Sequence, residues 1–255
     1  MKWILATPVL AVVSSVAPAS GNPYFPASFK NRTVSCNFES RDAIATISAL
    51  ENDWYSGQLT AAKESSLYLA SIHPPRRSGR TLRFTWLRSF HAPVVIGIDG
   101  LGTRNNRLVA KQLSGKGGYA PGSISKQLDR QLSLKEEKAV ELALARTQVL
   151  NLPPKLCDMG LDGAEWIIEA VDGKGYHFVE RWSPESGGVR DLGIALLGLT
   201  GWEFKPIYSS RLMAASHPKQ TFGEASEIGL RVPTYRRRSR GVILIAKLNR
   251  ANGLQ

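Results

Sequence analysis

The chain has 255 residues, and 43% of them are hydrophobic, which is enough for one globular domain with a real core and marginal for two small ones. The 33 basic residues outnumber the 21 acidic ones and give a net charge of +12, which attracts polyanions, anionic membranes or acidic partners but equally suits a merely soluble, basic surface. The four histidines lie far apart without the spacing of metal ligands, so the sequence predicts no metal site and no cofactor.

The first residues have the pattern of a secretory signal peptide. Lys2 precedes an apolar run over residues 3–16, and Ala17-Pro18-Ala19 supplies the small residues that a signal peptidase reads. The run is shorter than the roughly 20 residues that span a bilayer. We therefore predict a signal peptide over residues 1–19, and a periplasmic or secreted protein with no transmembrane segment in the mature chain. An uncleaved anchor is the alternative.

Two cysteines follow, the first of them within a segment of loop-like composition. Residues 20–37 are rich in Pro, Ser, Asn and Gly, which predicts an extended leader outside the core. In an oxidising compartment, an even number of cysteines is compatible with one bridge, here between Cys36 and Cys157. Two buried thiols are the alternative.

Apolar periodicity predicts a single two-layer α+β domain over residues 38–202. Its antiparallel sheet consists of a three-stranded meander plus a hairpin, and two to three helices pack on it. A Ser133-Leu134-Lys135-Glu136 capping box marks the clearest helix start. The other predicted elements are a helix over 42–55, strands over 82–90, 94–98 and 107–113, and an apolar helix over 192–199.

The best-defined stretch is the hairpin over residues 161–182. Residues 164–171 alternate between two unlike faces, as a strand does, and Asp172-Gly173-Lys174-Gly175 then turns the chain. A two-residue loop at Gly173-Lys174 predicts a register that places Trp166 opposite Arg181, where a cation–π contact can form. The same register pairs Glu165 with Trp182, Glu169 with Phe178, and Val171 with Tyr176.

Several segments resemble a group of exported bacterial proteins of unknown function. They are the strand TWLRSFHAPVVI, the Gly117-Gly118-Tyr119 loop, and above all the hairpin pattern DGxxWxxE followed by RWSP, here DGAEWIIE and RWSPESG. The resemblance covers about residues 50–202. It implies bacterial export and one folded unit, and it transfers no activity, ligand or catalytic residue.

The hairpin also holds the candidate site. Glu165, Glu169 and Glu180 share one face in the predicted register, and paired carboxylates can divide acid and base roles, as in glycoside hydrolysis. The candidate binding residues beside them are Trp166, Tyr176, Arg181 and Trp182. The alternative interpretation is that this is the outer face of the sheet, with ordinary cross-strand partners, and the lack of a nucleophile elbow or zinc motif favours it.

A third interpretation groups basic side chains around an anionic ligand. Arg181 would bind it together with Arg88, His91 and His177, provided that the fold brings these four residues together.

The sequence thus favours a non-catalytic binding or structural protein of the cell envelope. A hydrolase that acts on cell-wall saccharide through Glu165 and Glu169 is the alternative. Residues 203–255 lose their periodicity and predict a basic, loosely ordered tail, in which Arg236, Arg237, Arg238 and Arg240 would contact an anionic surface without sequence-specific recognition of nucleic acid.

Overall fold

The computed structural model describes residues 23–36, 43–72, 79–158, 160 and 162–204. The predicted signal peptide over 1–19, and the tail beyond residue 204 with Arg236, Arg237, Arg238 and Arg240, lie outside the described residues.

Eight strands and four α-helices make up the described part of the chain. In chain order they are β1 (Thr33–Ser35), β2 (Ala43–Ala45), α1 (Ala49–Ala61), α2 (Leu67–Ile72), β3 (Arg80–Arg88), β4 (Val94–Leu101), β5 (Arg107–Leu113), β6 (Ile124–Arg130), α3 (Leu134–Thr147), β7 (Ala164–Asp172), β8 (Gly175–Trp182) and α4 (Gly188–Leu199). Two short 3-10 helices lie at Ala27–Lys30 and Val149–Asn151.

The central sheet has six strands in the order β6-β5-β4-β3-β7-β8, and every neighbouring pair is antiparallel. The predicted α+β class is therefore confirmed. Strands β3 to β6 are neighbours in the sheet in the same succession as in the sequence. The sequence predicted only three of these four strands, and β6 is the additional one. The β7–β8 pair has the predicted register, with Trp166 opposite Arg181 and Glu165 opposite Trp182. This hairpin joins the sheet because β7 pairs along its length with β3.

Apolar clusters cover both faces of this sheet. On one face, Val140 of α3 and Leu192 of α4 join a core with Phe84 and Trp166. On the other face, Tyr55 and Leu59 of α1 pack with a second set of buried residues, which includes Leu87, Val95, Ile167 and Phe178. The sheet is therefore the middle of three layers, and the predicted two-layer arrangement is not confirmed.

The first α-helix begins later than predicted. Residues 43–45 form β2, and α1 begins at Ala49, directly after the N-cap Ser48. Ser48 accepts a hydrogen bond from the backbone of Glu51, while the Glu51 side chain accepts one from the backbone of Ser48. This capping box satisfies two backbone donors that would otherwise lack partners, and it fixes the start of the helix.

The predicted leader contributes to the core instead of lying outside it. Phe25 and Phe29 are buried, and both rings contact the ring of Phe178. A disulfide bridge joins Cys36 to Cys157, with 5.6 Å between their Cα atoms. Burial of two aromatic side chains adds a hydrophobic contribution of about 1.5 to 3 kcal/mol each, which holds this polar segment on the sheet.

Within the part of the chain that the structure describes, no helix has both the length and the apolar character needed to cross a membrane.

Candidate functional site

A cavity of about 760 Å³ opens at the end of the sheet where β3 ends, β7 begins and β8 ends. Its lining comes from the first half of α1, from the loops after β3 and β5, and from the segment that follows α3. Residues of β2 and of the β7–β8 hairpin complete the lining, so segments that are distant in sequence meet around one space on the sheet face that α1 covers.

Aromatic side chains form the walls of this cavity. They are Trp54, Phe90, Tyr119 and Trp182. Phe90 and Tyr119 are 51% and 61% exposed, and Leu50 beside them is 79% exposed, so the rim presents apolar surface to solvent. The ring centroids of Phe90 and Tyr119 lie 6.2 Å apart.

The loop that carries Tyr119 is held in place by α1. The indole nitrogen of Trp54 donates a hydrogen bond to the carbonyl oxygen of Gly117 at 2.6 Å, and the Gln58 amide donates to Gly117 and to Tyr119 at 3.1 Å each. A Cβ atom at Gly117 would lie 2.5 Å from the backbone nitrogen of Arg88, so only glycine fits this close approach. The wall formed by Tyr119 is thus built into the fold.

Three glutamates and one lysine, Glu51, Glu165, Glu180 and Lys155, form a charged cluster in the lining of the cavity. Lys155 Nζ lies 3.2 Å from Glu180 Oε2 and also forms an ion pair with Glu51 Oε1. Burial alone would lower the pKa of Lys155, but the charges of Glu180 and Glu51 outweigh it and raise that pKa. Lys155 therefore stays charged and neutralises part of the acidic cluster.

Glu165 is the buried acid of this cluster. The residue is 6% exposed, and its Oε2 has no hydrogen-bond partner among the described residues. Burial raises the pKa of Glu165 well above its usual value, and the nearby charge of Glu180 raises it further. Burial likewise raises the pKa of Tyr55, and the neighbouring carboxyl group of Glu165 raises it further. A buried carboxyl group with a raised pKa therefore lies beside an aromatic-walled cavity.

Only part of the predicted site lines this cavity: Glu165, Glu180 and Trp182 do, and Glu169 does not. The Glu169 carboxylate instead accepts two hydrogen bonds from Arg83, each at 2.8 Å, and a third from the Tyr176 hydroxyl at 2.8 Å. The structure therefore does not place Glu165 and Glu169 together as an acid and base pair.

The glutamate face is not the outer face of the sheet, so that alternative interpretation is wrong. Glu165, Glu169 and Glu180 are all buried, because α1 and the N-terminal segment cover them.

Trp166 and Arg181 lie on the opposite face of the hairpin, away from the cavity. Trp166 packs in the core against Phe84, and the guanidinium over its ring is that of Arg190, 6.0 Å from the centroid. Arg181 donates a hydrogen bond to the carbonyl oxygen of Pro153 at 3.0 Å. The predicted pairing of Trp166 with Arg181 is correct as register, and neither residue lines the cavity.

The predicted anion site is not assembled. Arg88 stacks at 4.2 Å on the ring of Trp86, and burial lowers its pKa to about 10. His177 lies 3.0 Å from Asp172 at the hairpin end of the sheet, whereas Arg88 ends β3 at the cavity end. His177 is thus separated from Arg88, whereas His91 lies in the turn after β3, where its backbone nitrogen donates a hydrogen bond to the carbonyl oxygen of Arg88.

The cavity residues that lie outside the hairpin were not predicted from the sequence. Glu51 shows a local signal, since Ser48-x-x-Glu51 is a capping-box pattern that places a carboxylate at the start of α1. Lys155 follows Pro153-Pro154 without any periodic pattern, and only the tertiary fold brings it to Glu180.

Comparison of the chain with protein-family models gave no match, and no curated protein was found to match it. The resemblance to exported bacterial proteins therefore stays a prediction.

The substitution Glu165→Gln tests the buried acid directly. Because the folded-state pKa of Glu165 lies above the unfolded value, folding takes up a proton, and stability falls as pH rises through that interval. Glutamine cannot ionise, so the variant should be more stable than the wild type at about pH 8, by about 1.4 kcal/mol for each unit of pKa difference. This gain should vanish at about pH 3, where the carboxyl is protonated in both the folded and the unfolded state.

Urea unfolding at several pH values measures the effect. Glu141→Gln, an exposed position on α3, is the matched control and should show no pH-dependent gain. A Glu165→Gln variant whose stability follows the wild type at every pH would contradict the buried-acid assignment.

Proposed function

We propose that the protein is exported to the periplasm or secreted, and that it acts in the cell envelope as a non-catalytic binding protein. Its ligand is a small organic molecule that enters the aromatic-walled cavity. The observation that carries this proposal is the combination of an exposed apolar rim with a buried, unpartnered carboxyl below it. Binding sites typically combine apolar walls with a few polar groups that fix the orientation of the ligand.

Two features support export. The bridge between Cys36 and Cys157 is of a kind that forms and persists in oxidising compartments such as the periplasm. The predicted signal peptide and the resemblance to exported bacterial proteins agree with that location.

The arrangement of the acids favours binding over catalysis. A general acid or base must come within hydrogen-bond reach of the reacting atoms. Glu180 is only 2% exposed, and Lys155 lies on its Oε2. Glu180 is thus already paired with Lys155 and is barely accessible to a substrate or an attacking water.

Hydrolysis of a cell-wall saccharide is the second candidate function, with a changed pair of residues. Glu165 has a raised pKa, whereas Glu180 forms an ion pair with Lys155. The two carboxyl groups therefore have different environments, as a catalytic acid and a catalytic base do. The pair would be Glu165 and Glu180, because Glu169 is occupied by Arg83.

A ligand screen with two matched leucine variants tests the binding proposal. Leu50 and Leu134 both lie in the first turn of a helix with a capping box and are 79% and 76% exposed, but only Leu50 lines the cavity. The purified protein is screened by thermal shift against cell-wall fragments, saccharides, amino acids and amines, and hits are measured by calorimetry. We expect Leu50→Ala and Tyr119→Ala to weaken binding about five-fold, near 1 kcal/mol each, and Leu134→Ala to leave it unchanged.

Two results would overturn this proposal. A panel without any ligand whose affinity depends on Leu50 or Tyr119 would remove the cavity as a binding site. Turnover of a saccharide that Glu165→Gln or Glu180→Gln abolishes, with folding preserved, would establish the hydrolase instead.

A further inference from the structure

The charge of the cavity is opposite to that of the chain. The chain has a net charge of +12, yet five acidic residues and one basic residue line the cavity. They are Glu51, Asp158, Asp162, Glu165 and Glu180 against Lys155. A concave site lined by one sign of charge, with low-dielectric walls, focuses the field and concentrates ligands of the opposite sign.

The acidic lining alone would not define a ligand. A second observation concerns Glu165, which is 6% exposed and whose Oε2 makes no well-formed hydrogen bond within the described residues, although the Glu180 carboxyl and the Tyr55 hydroxyl lie beside it. Buried carboxylate oxygens are normally paired, so an unpaired one beside a cavity indicates a place for a ligand group. Lys155 does not provide a positive charge for Glu165, because it already forms ion pairs with Glu51 and Glu180.

The walls indicate what kind of cation fits. The faces of Trp and Tyr rings attract ammonium groups, and aromatic cages are the usual receptors for quaternary ammonium ligands. Trp54, Tyr119 and Trp182 line this cavity, and the ring of Tyr119 already receives an ammonium, because Lys116 Nζ lies 6.0 Å from its centroid. Across the described ranges, no three or more His, Cys, Asp or Glu side chains form a group that could hold a metal ion. The lining thus suits an organic cation.

We propose that the ligand of this cavity is an organic cation, with a protonated amine or quaternary ammonium group that sits among Trp54, Tyr119 and Trp182 above Glu165 and Glu180. This inference rests on the proposed binding function and adds the chemical class of the ligand. The cationic group supplies the charge that the acidic lining lacks, and the apolar rim contacts the body of the ligand.

Binding of a cation should release a proton from Glu165, whereas binding of a neutral ligand should not. The charged groups that face Glu165 are Tyr55 and Glu51 from α1, Glu180 from β8, and Lys155 from the segment after α3. Burial of the site and the charge of Glu180 favour the protonated form of Glu165 in the free protein, and the charge of Lys155 opposes it. A bound cation favours the carboxylate, so binding should release this proton, and affinity should increase as pH rises toward the raised pKa of Glu165.

Choline and its neutral isostere 3,3-dimethylbutan-1-ol are the probes, since they share shape and differ in charge. Binding is followed on the indole N–H signals of Trp54 and Trp182 in nitrogen-15 NMR spectra of the purified protein, assigned by Trp→Phe substitution. We expect choline to bind at least about ten-fold more tightly than the isostere. Calorimetry in two buffers of different ionisation enthalpy should show proton release for the wild type.

Glu165→Gln should abolish the proton release and weaken choline binding several-fold, without changing the affinity of the isostere. Glu141→Gln, exposed on α3, should change neither. Equal affinity for both probes would overturn the cation inference while leaving cavity binding established. Failure of choline to move either indole signal up to about 50 mM would also overturn it, and the ligand screen then decides separately whether the cavity binds anything.

Discussion

Arg83→Met should lower the free energy of unfolding by about 3 to 5 kcal/mol, because it leaves Glu169 as an uncompensated charge in the interior. Arg83 and Glu169 are opposite each other on β3 and β7, and their side chains are 2% and 1% exposed. The guanidinium makes two hydrogen bonds of 2.8 Å to the carboxylate and a third of 2.7 Å to the carbonyl oxygen of Ser65. A buried charge without such a partner destabilises the folded state, because nothing compensates for the loss of its hydration.

Urea unfolding of three variants checks the cause of this loss. The double variant Arg83→Met/Glu169→Met removes both charges and should recover most of the stability, since buried ion pairs are often replaceable by apolar residues of similar volume. Arg107→Met breaks an ion pair with Asp129 that lies on the exposed surface, and it should leave the unfolding midpoint close to that of the wild type. If the double variant is as unstable as Arg83→Met alone, packing and not charge explains the effect.

This ion pair also explains why the buried, structural role of Glu169 could not be predicted from the sequence. Glu169 has the alternation and the neighbours of a site residue, and nothing in the hairpin itself distinguishes it from Glu165. The difference comes from β3, which pairs with β7. Its residue Arg83 binds Glu169, although the two residues are separated by 86 positions in the sequence. A local pattern contains no information about such a partner, so the separate roles of Glu165 and Glu169 could not be predicted.

Features that depend on neighbours in sequence were predictable. The turn at Gly173-Lys174 fixes the β7–β8 register, and the capping box at Ser133 fixes the start of α3. β5 has its predicted bounds, Arg107–Leu113. In each case, the signal and the structure that it determines lie within one or two elements of the chain.

Elements whose burial depends on distant contacts were not predictable. β6 is an edge strand whose residues are mostly exposed, so it lacks the apolar alternation that predicts a strand. Phe25 and Phe29 lie in a segment of loop-like composition, and their burial follows from contact with Phe178. The cavity shows the same limit, since Trp182 belongs to the predicted hairpin, whereas Lys155 reaches the site only in the folded chain.

The bridge between Cys36 and Cys157 carries the other large expected effect. The two residues are 121 positions apart, and closing so long a loop restricts the unfolded chain by about 4 to 5 kcal/mol in the chain-entropy model, which is an upper figure because measured losses usually fall below it. The bridge ties the N-terminal segment, with Phe25 and Phe29, to the segment that carries Lys155. We therefore expect Cys36→Ser/Cys157→Ser to lose several kcal/mol of stability in urea unfolding, and the wild type to lose the same amount in reductant.

Reductant should not destabilise the double variant further, and this comparison separates the bridge from other effects of the reagent. Intact mass after alkylation should show no modified cysteine in the native, non-reduced protein and two after reduction. Because Lys155 lies just before Cys157 and faces Glu51 and Glu180, loss of the bridge should also weaken ligand binding in the cavity beyond the loss of folded protein. Two alkylated thiols in the non-reduced sample, or equal stability of wild type and double variant, would show that the bridge does not hold these segments together.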